Sequence, residues 1–130
     1  MQRRQMNFQM VLVIQALAEL LRYDLVVRLS GLQGVRQRIA RLEVSGRKLG
    51  NPQQVCSAMA CAAALYWKPV QCLQRSVALT SLLRRKGWNG RLIIGFRALP
   101  FVSHAWVEID GAVLNGSSAY QRRLRILETV

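Results

Sequence analysis

Cys72 and His104 are the residues of this sequence whose types and setting best suit them to react together. The chain has one histidine and three cysteines, Cys56, Cys61 and Cys72, and only Cys72 stands where a helix is expected to begin. A cysteine attacks as its thiolate, and the open N–H groups of a first helical turn stabilise that anion. A histidine held on a strand can take the thiol proton, and the resulting imidazolium can then protonate a departing amine. That is the division of labour in a cysteine peptidase. The backbone N–H of Cys72 is also a donor for the oxyanion of a tetrahedral intermediate, while a second donor is not legible. Cys56 and Cys61 lie among Ala58, Ala60, Ala62, Ala63 and Ala64 and read as small buried hydrophobes. A Cys–His pair alone does not separate a reactive site from two satisfied core residues.

The elements that must position the pair follow from periodicity. Val11, Ile14, Leu17, Ala18, Leu21, Leu25 and Leu29 recur at spacings of three and four, which predicts a helix from Asn7 to Leu29 burying that stripe. Gln15, Glu19, Arg22, Asp24 and Arg28 interrupt the same stretch, so it does not read as a membrane span. Ser30-Gly31 separates it from a basic helix over Leu32 to Leu42. After a polar link, Asn51-Pro52 supplies an N-cap and a first-turn proline for a helix reaching Tyr66. Trp67-Lys68-Pro69 breaks it, because the residue before proline is pushed out of the helical region. The next helix starts near Cys72 and closes at Gly87, with Arg84, Arg85 and Lys86 complementing the negative end of its dipole. Then the period changes. Arg91 to Phe96 and His104 to Ile109 predict strands, and Asp110-Gly111 predicts a hairpin into Val113-Leu114.

These elements make an α+β chain. A length of 130 residues with 52% hydrophobic and 19% charged side chains fits a single domain over 1–130, with a helical region at 1–50 and a core at 51–130, and excludes global disorder. Lys and Arg number 19 against six Asp and Glu, a formal charge of +13. The basic residues are scattered beside apolar ones, at Arg3-Arg4, Arg36 to Arg41, Arg47-Lys48, Arg84 to Lys86 and Arg122-Arg123, as on the solvated faces of packed elements. An odd cysteine count fits neither a disulfide framework nor a zinc ribbon, and one histidine removes any multi-histidine metal site. The expectation is a cytoplasmic protein with no metal and no cofactor.

Read in order, Cys72-Leu73-Gln74-Arg75-Ser76, Leu82 to Gly87, Leu92 to Arg97, Pro100-Phe101 and His104-Ala105-Trp106-Val107-Glu108-Ile109-Asp110-Gly111 resemble the lasso-peptide leader peptidase (B2) family. The likeness spans about Ala58 to Val130, and the string around His104 is its most specific part. That family is similar in fold to transglutaminase-like and papain-like cysteine peptidases, so the resemblance implies a helix-borne nucleophile packed on a small antiparallel sheet. It implies Cys72 as nucleophile and His104 as base in removing the leader from a ribosomally made lasso precursor. It also implies an acid on the strand after the hairpin, at the position of Gly116, and glycine cannot orient an imidazole.

Three residues are candidates for that missing role. A turn at Asp110-Gly111 should pair Ile109 with Ala112 and Trp106 with Asn115, placing Asn115 on the face of His104, where an amide oxygen can hold the ring as in a Cys-His-Asn arrangement. Asp110 should point into solvent as a turn former, and Glu108 shares the histidine's face. Trp106 and Phe101 either line a substrate groove or fill the core, and Arg75 and Arg97 either meet acidic leader residues or snorkel.

The resemblance implies as partners the precursor's leader peptide, a PqqD-like leader-recognition protein and, as a further candidate, the ATP-dependent lasso cyclase. Two other readings compete. A catalytically impaired scaffold of the same complex is motivated by Gly116. A nucleic-acid-binding module at Gln33 to Arg47 has only charge behind it, since no helix-turn-helix and no aromatic-basic sheet is legible, and no nucleic acid is expected.

Overall fold

A helix of 40 residues, α1 (Gln2–Arg41), opens the chain in a computed structural model that describes residues 2–48, 50–98, 101–115 and 125–130. It bends at Gly31, whose φ of 63° and ψ of −160° leave the helical region, so two helical stretches meet where Ser30-Gly31 predicted a break. The buried stripe is not the expected one. Val11, Ile14, Leu21, Leu25 and Leu29 face solvent, while Leu12, Ala16, Leu20, Tyr23 and Val26 enter the core. Both sets keep helical spacing. The inward one is chosen because Glu19 and Asp24 lie with it and find partners there. Glu19 accepts from the Ser81 hydroxyl at 2.9 Å and pairs with Arg22 and Arg85, while Asp24 accepts from Tyr66 and Lys68, each at 2.8 Å. The Lys68 hydrogen bond, ahead of the cost of burial, holds the Asp24 carboxyl below the usual carboxylate range.

Helix α2 (Pro52–Leu65) starts as its sequence predicts. Asn51 Oδ1 accepts from the Gln53 N–H at 2.8 Å, and Gln54 Oε1 accepts from the Asn51 N–H at 3.1 Å. Val55, Ala58, Met59 and Ala62 make its buried stripe. Cys61 is therefore exposed and Cys56 only half-buried, against the expectation that both are core residues. At 100° per residue each lies about 60° around the helix beyond its nearest stripe residue, Met59 for Cys56 and Ala58 for Cys61, on opposite edges of the stripe.

Helix α3 (Cys72–Arg85) is the centre of the molecule and is buried from Ser76 through Arg84. Arg84 does more than complement a helix dipole. Its guanidinium donates to the carbonyl oxygens of Ile39, of Leu42 at 3.3 Å, of Gly90 at 2.9 Å and of Val130 at 3.1 Å, which ties α1, the turn after α3 and the C-terminus together. Gly87 closes α3 at a φ of 88°, and a Cβ there would come within 2.4 Å of the Arg47 carbonyl oxygen.

Among the described residues four antiparallel strands, β1 (Arg91–Ala98), β2 (Phe101–Ile109), β3 (Ala112–Val113) and β4 (Arg125–Thr129), form a sheet in the order β3-β2-β1-β4. The long β1–β2 hairpin sets Gly95 opposite His104 and Ile93 opposite Trp106. Asp110 and Gly111 turn with φ of 51° and 81°, both positive as a type I′ turn requires. Ala105, Val107, Leu92 and Ile94 join the main core with α3, while Trp106 and Ile93 form a smaller cluster with Val113 against them. The chain is α+β, as expected. Among the described residues no helix is long and apolar enough to cross a membrane.

Candidate active site

Cys72 is the first residue of α3 and is exposed. Gln71, at the N-cap, makes no side-chain hydrogen bond to the first turn, so that turn's N–H groups are not capped by it. His104, on β2, lies with Cys72 along one cavity of about 490 Å³, which Cys56, Ser57, Arg75 and Asn115 also line. The nucleophile and base expected from the sequence thus share one cavity. The His104 ring stacks on Trp106 with centroids 6.1 Å apart and planes 22° apart. Burial pushes its pKa below the ordinary imidazole value, which favours the neutral ring that can accept a proton at neutral pH.

Asn115 also borders the cavity, in a way the sequence does not foretell. The ladder pairs Ile109 with Ala112 and Glu108 with Val113. Since β3 has only two residues, strand alternation does not carry on to Asn115. Its carboxamide bridges β2 and α3: Oδ1 accepts from the Val107 N–H at 2.7 Å and Nδ2 donates to Ser76 Oγ at 3.1 Å. The Ser76 hydroxyl in turn donates to the Ala105 carbonyl at 3.0 Å. Ser76 is one helical turn beyond Cys72 and Ala105 directly follows His104, so this chain of bonds locks α3 to β2 beside both residues.

A model of the transglutaminase-like superfamily matches residues 17–129. The chain belongs to that superfamily. It is also 36% identical over 59 residues to a curated protein of Escherichia coli, the "Microcin J25-processing protein McjB". The matched stretch is 45% of this chain and 28% of that protein, so the chain spans well under two-thirds of the length of the curated relative it matches. No solved structure matches the chain.

In this member of the transglutaminase-like superfamily the other candidates have visible roles. Glu108 accepts from the Trp106 indole N–H at 3.1 Å, and Asp110 is an exposed turn residue. Trp106, only 2% exposed, is a core residue rather than part of a groove. Arg75 forms no ion pair among the described residues and is a cation of the cavity wall beside Cys72. Burial, partly offset by Arg75, pushes the Cys56 thiol up, against formation of its thiolate. Gly116 and the side chains of Arg97 and Phe101 lie outside the described residues. Among the described residues no group of three or more potential ligands is placed to hold a metal.

Sequence reasoning missed Ser76 and Arg84 as organising residues. A serine one turn beyond the candidate nucleophile, flanked by Val77 and Ala78 on a buried helix, is the signal that could have found the first. Arg84 sits in a basic run that reads as surface, and only the tertiary structure separates it from Arg85.

Proposed function

We propose that this protein is a cysteine peptidase that removes the leader from a ribosomally made lasso-peptide precursor. The observation that carries the proposal is the single cavity joining Cys72, at the first residue of α3, with His104 on β2. The superfamily and the resemblance to a microcin-processing protein support it.

In this mechanism His104 takes the proton of the Cys72 thiol, and the thiolate attacks the carbonyl carbon of the leader's scissile bond. The oxyanion accepts from the Cys72 backbone N–H. The imidazolium returns its proton to the departing amine, which leaves as the new N-terminus of the core peptide. Water, deprotonated by His104, then cleaves the thioester and frees the leader's new carboxylate. Asn115 is the third polar residue of the site, and its bonds to Val107 and Ser76 hold β2 against α3. The reaction needs no cofactor. A PqqD-like chain presents the leader, and the ATP-dependent cyclase consumes the amine product. The setting is cytoplasmic.

The test mixes the chain, the leader-recognition protein and the precursor and follows leader loss by mass spectrometry. Cleavage by the wild type, abolished in both Cys72→Ala and His104→Ala with unchanged circular dichroism, is the expected result. Cleavage that survives both substitutions, or no cleavage by the intact set, refutes the proposal.

A further inference from the structure

One face of α3 lines the cavity of Cys72. Cys72, Arg75 and Leu79 follow one another at spacings of three and four, and all three border it. Arg75 is half-buried, and among the described residues it is the one charged side chain of that wall. It forms no ion pair among the described residues. Its charge reaches the Cys56 thiol on α2, where it opposes the effect of burial, so the guanidinium stands close to a second wall of the cavity.

The acids of the chain are all placed elsewhere. There are six. Glu19 and Asp24 are buried and paired on α1, Glu43 and Asp110 are exposed, and Glu108 accepts from the Trp106 indole. Glu128 belongs to β4, at the opposite edge of the sheet from β3, and the C-terminal Val130 borders a different cavity. A cation partly withdrawn from water with no counter-ion bears a desolvation cost that an entering anion offsets. The planar guanidinium suits a carboxylate, which it can hold through two parallel N–H bonds. One positive charge beside a histidine that burial keeps neutral matches the single charge of a carboxylate better than the nearly two charges of a phosphate monoester. Residues three apart on a helix hold their Cβ atoms about 5–6 Å apart, and an extended peptide advances about 3.3 Å per residue. A peptide whose scissile carbonyl meets Cys72 therefore brings to Arg75 a side chain from within about two residues of that bond.

We propose that Arg75 is a specificity-determining residue, which binds the carboxylate of an Asp or Glu side chain lying within about two residues of the substrate's scissile bond. The proposal rests on the peptidase reading for the identity of the substrate as a peptide. Cys72 and His104 act on backbone atoms that every peptide has, whereas Arg75 reads one side chain. The general field of a chain carrying +13 also attracts acidic peptides, but that attraction fades with salt and does not distinguish one position from the next.

The experiment uses precursor peptides in which each of the two residues on either side of the leader–core junction is replaced in turn by Glu, Gln or Lys. Cleavage is measured in the mixture with the leader-recognition protein for wild type, Arg75→Gln and Arg75→Glu. At one position the wild type should favour Glu over Gln by about tenfold in kcat/KM, carried by KM. That ratio should fall to near one in Arg75→Gln, and Arg75→Glu should favour Lys at the same position. A ratio is blind to a loss that affects every peptide alike, so a merely structural role for Arg75 leaves it unchanged. Equal cleavage of Glu and Gln peptides at all four positions, a preference spread evenly over them, or one that persists in Arg75→Gln overturns the proposal. Binding of the same peptides, fluorescently labelled, to Cys72→Ala and to Cys72→Ala/Arg75→Gln is followed by anisotropy. Position-specific binding of Glu that needs Arg75, with no cleavage by the wild type, refutes only the peptidase reading. Cleavage without that preference refutes only the role of Arg75, and the absence of both refutes both.

Discussion

Replacing Ser76 by alanine tests whether the bonds between α3 and β2 hold the site together. The hydroxyl is buried, donates to the Ala105 carbonyl at 3.0 Å and accepts from Asn115 Nδ2 at 3.1 Å. Its removal leaves a carbonyl and an amide N–H each short of a partner. One such buried group costs about 1–3 kcal/mol, and Asn115 at the cavity edge can recover part of its loss in water, so the net expectation is about 2 kcal/mol. For a domain of this size that is a fall of roughly 6–10 °C in melting temperature. Asn115→Ala should cost a similar amount, because it also strips the Val107 N–H of its acceptor. The two changes share one bond, so the double variant should fall short of the sum by about 1 kcal/mol. Thermal unfolding of the four proteins supplies the cycle, and leader cleavage at a temperature where all are folded supplies the functional arm, with kcat lowered in both single variants. Additive losses, or a Ser76→Ala protein with wild-type melting and wild-type kcat, would refute the reasoning.

The depressed pKa of His104 makes stability depend on pH. The unfolded chain binds a proton near pH 6.5, an ordinary imidazole value, whereas the folded chain binds it only at lower pH, so stability is fully present above about 6.5 and falls as pH drops from there through the folded value. Denaturation across that window should show a slope that His104→Gln flattens. Arg84→Met should destabilise by about 3 kcal/mol or more, since it leaves the carbonyls of Ile39, Leu42, Gly90 and Val130 without this donor, and chemical denaturation measures it. Arg75 beside Cys72 should favour anionic reagents, so the ratio of iodoacetate to iodoacetamide alkylation rates should fall about fivefold in Arg75→Gln at low salt, corresponding to about 1 kcal/mol of charge interaction.

The local signals that lie within a few residues were legible. Asn51-Pro52 predicts the start of α2, Asp110-Gly111 predicts the turn, and the change from helical to alternating period after Gly87 predicts where the sheet begins. Each of these features acts on its own backbone, so no distant residue can override it. The positions of Cys72 at a helix start and of His104 on a strand were legible for the same reason, because local signals identify each separately. The placement of Asn115 was not, since it depends on where the β3 ladder stops and on a serine 39 residues away. Strand β4, Arg125–Thr129, was likewise missed, and it is an edge strand with a register shift against β1 between Ile94 and Gly95.

The reversal of α1 has a different cause. A 3.6-residue period identifies stripes but not which of two stripes is buried. Val11, Ile14, Leu21, Leu25 and Leu29 make the more apolar one, and judged by transfer free energy alone they should have gone inside. They face outward because Glu19 and Asp24 share the other side. In the sequence those acids argue for a solvent-facing helix face, yet a buried carboxylate is tolerated when a hydroxyl, an ammonium or a guanidinium meets it, and α3, Tyr66 and Lys68 supply all three. Turning the helix over would leave Ser81 and Tyr66 without these acceptors while it buried the leucines. Exposure of so apolar a row is thus the consequence of satisfying two charges.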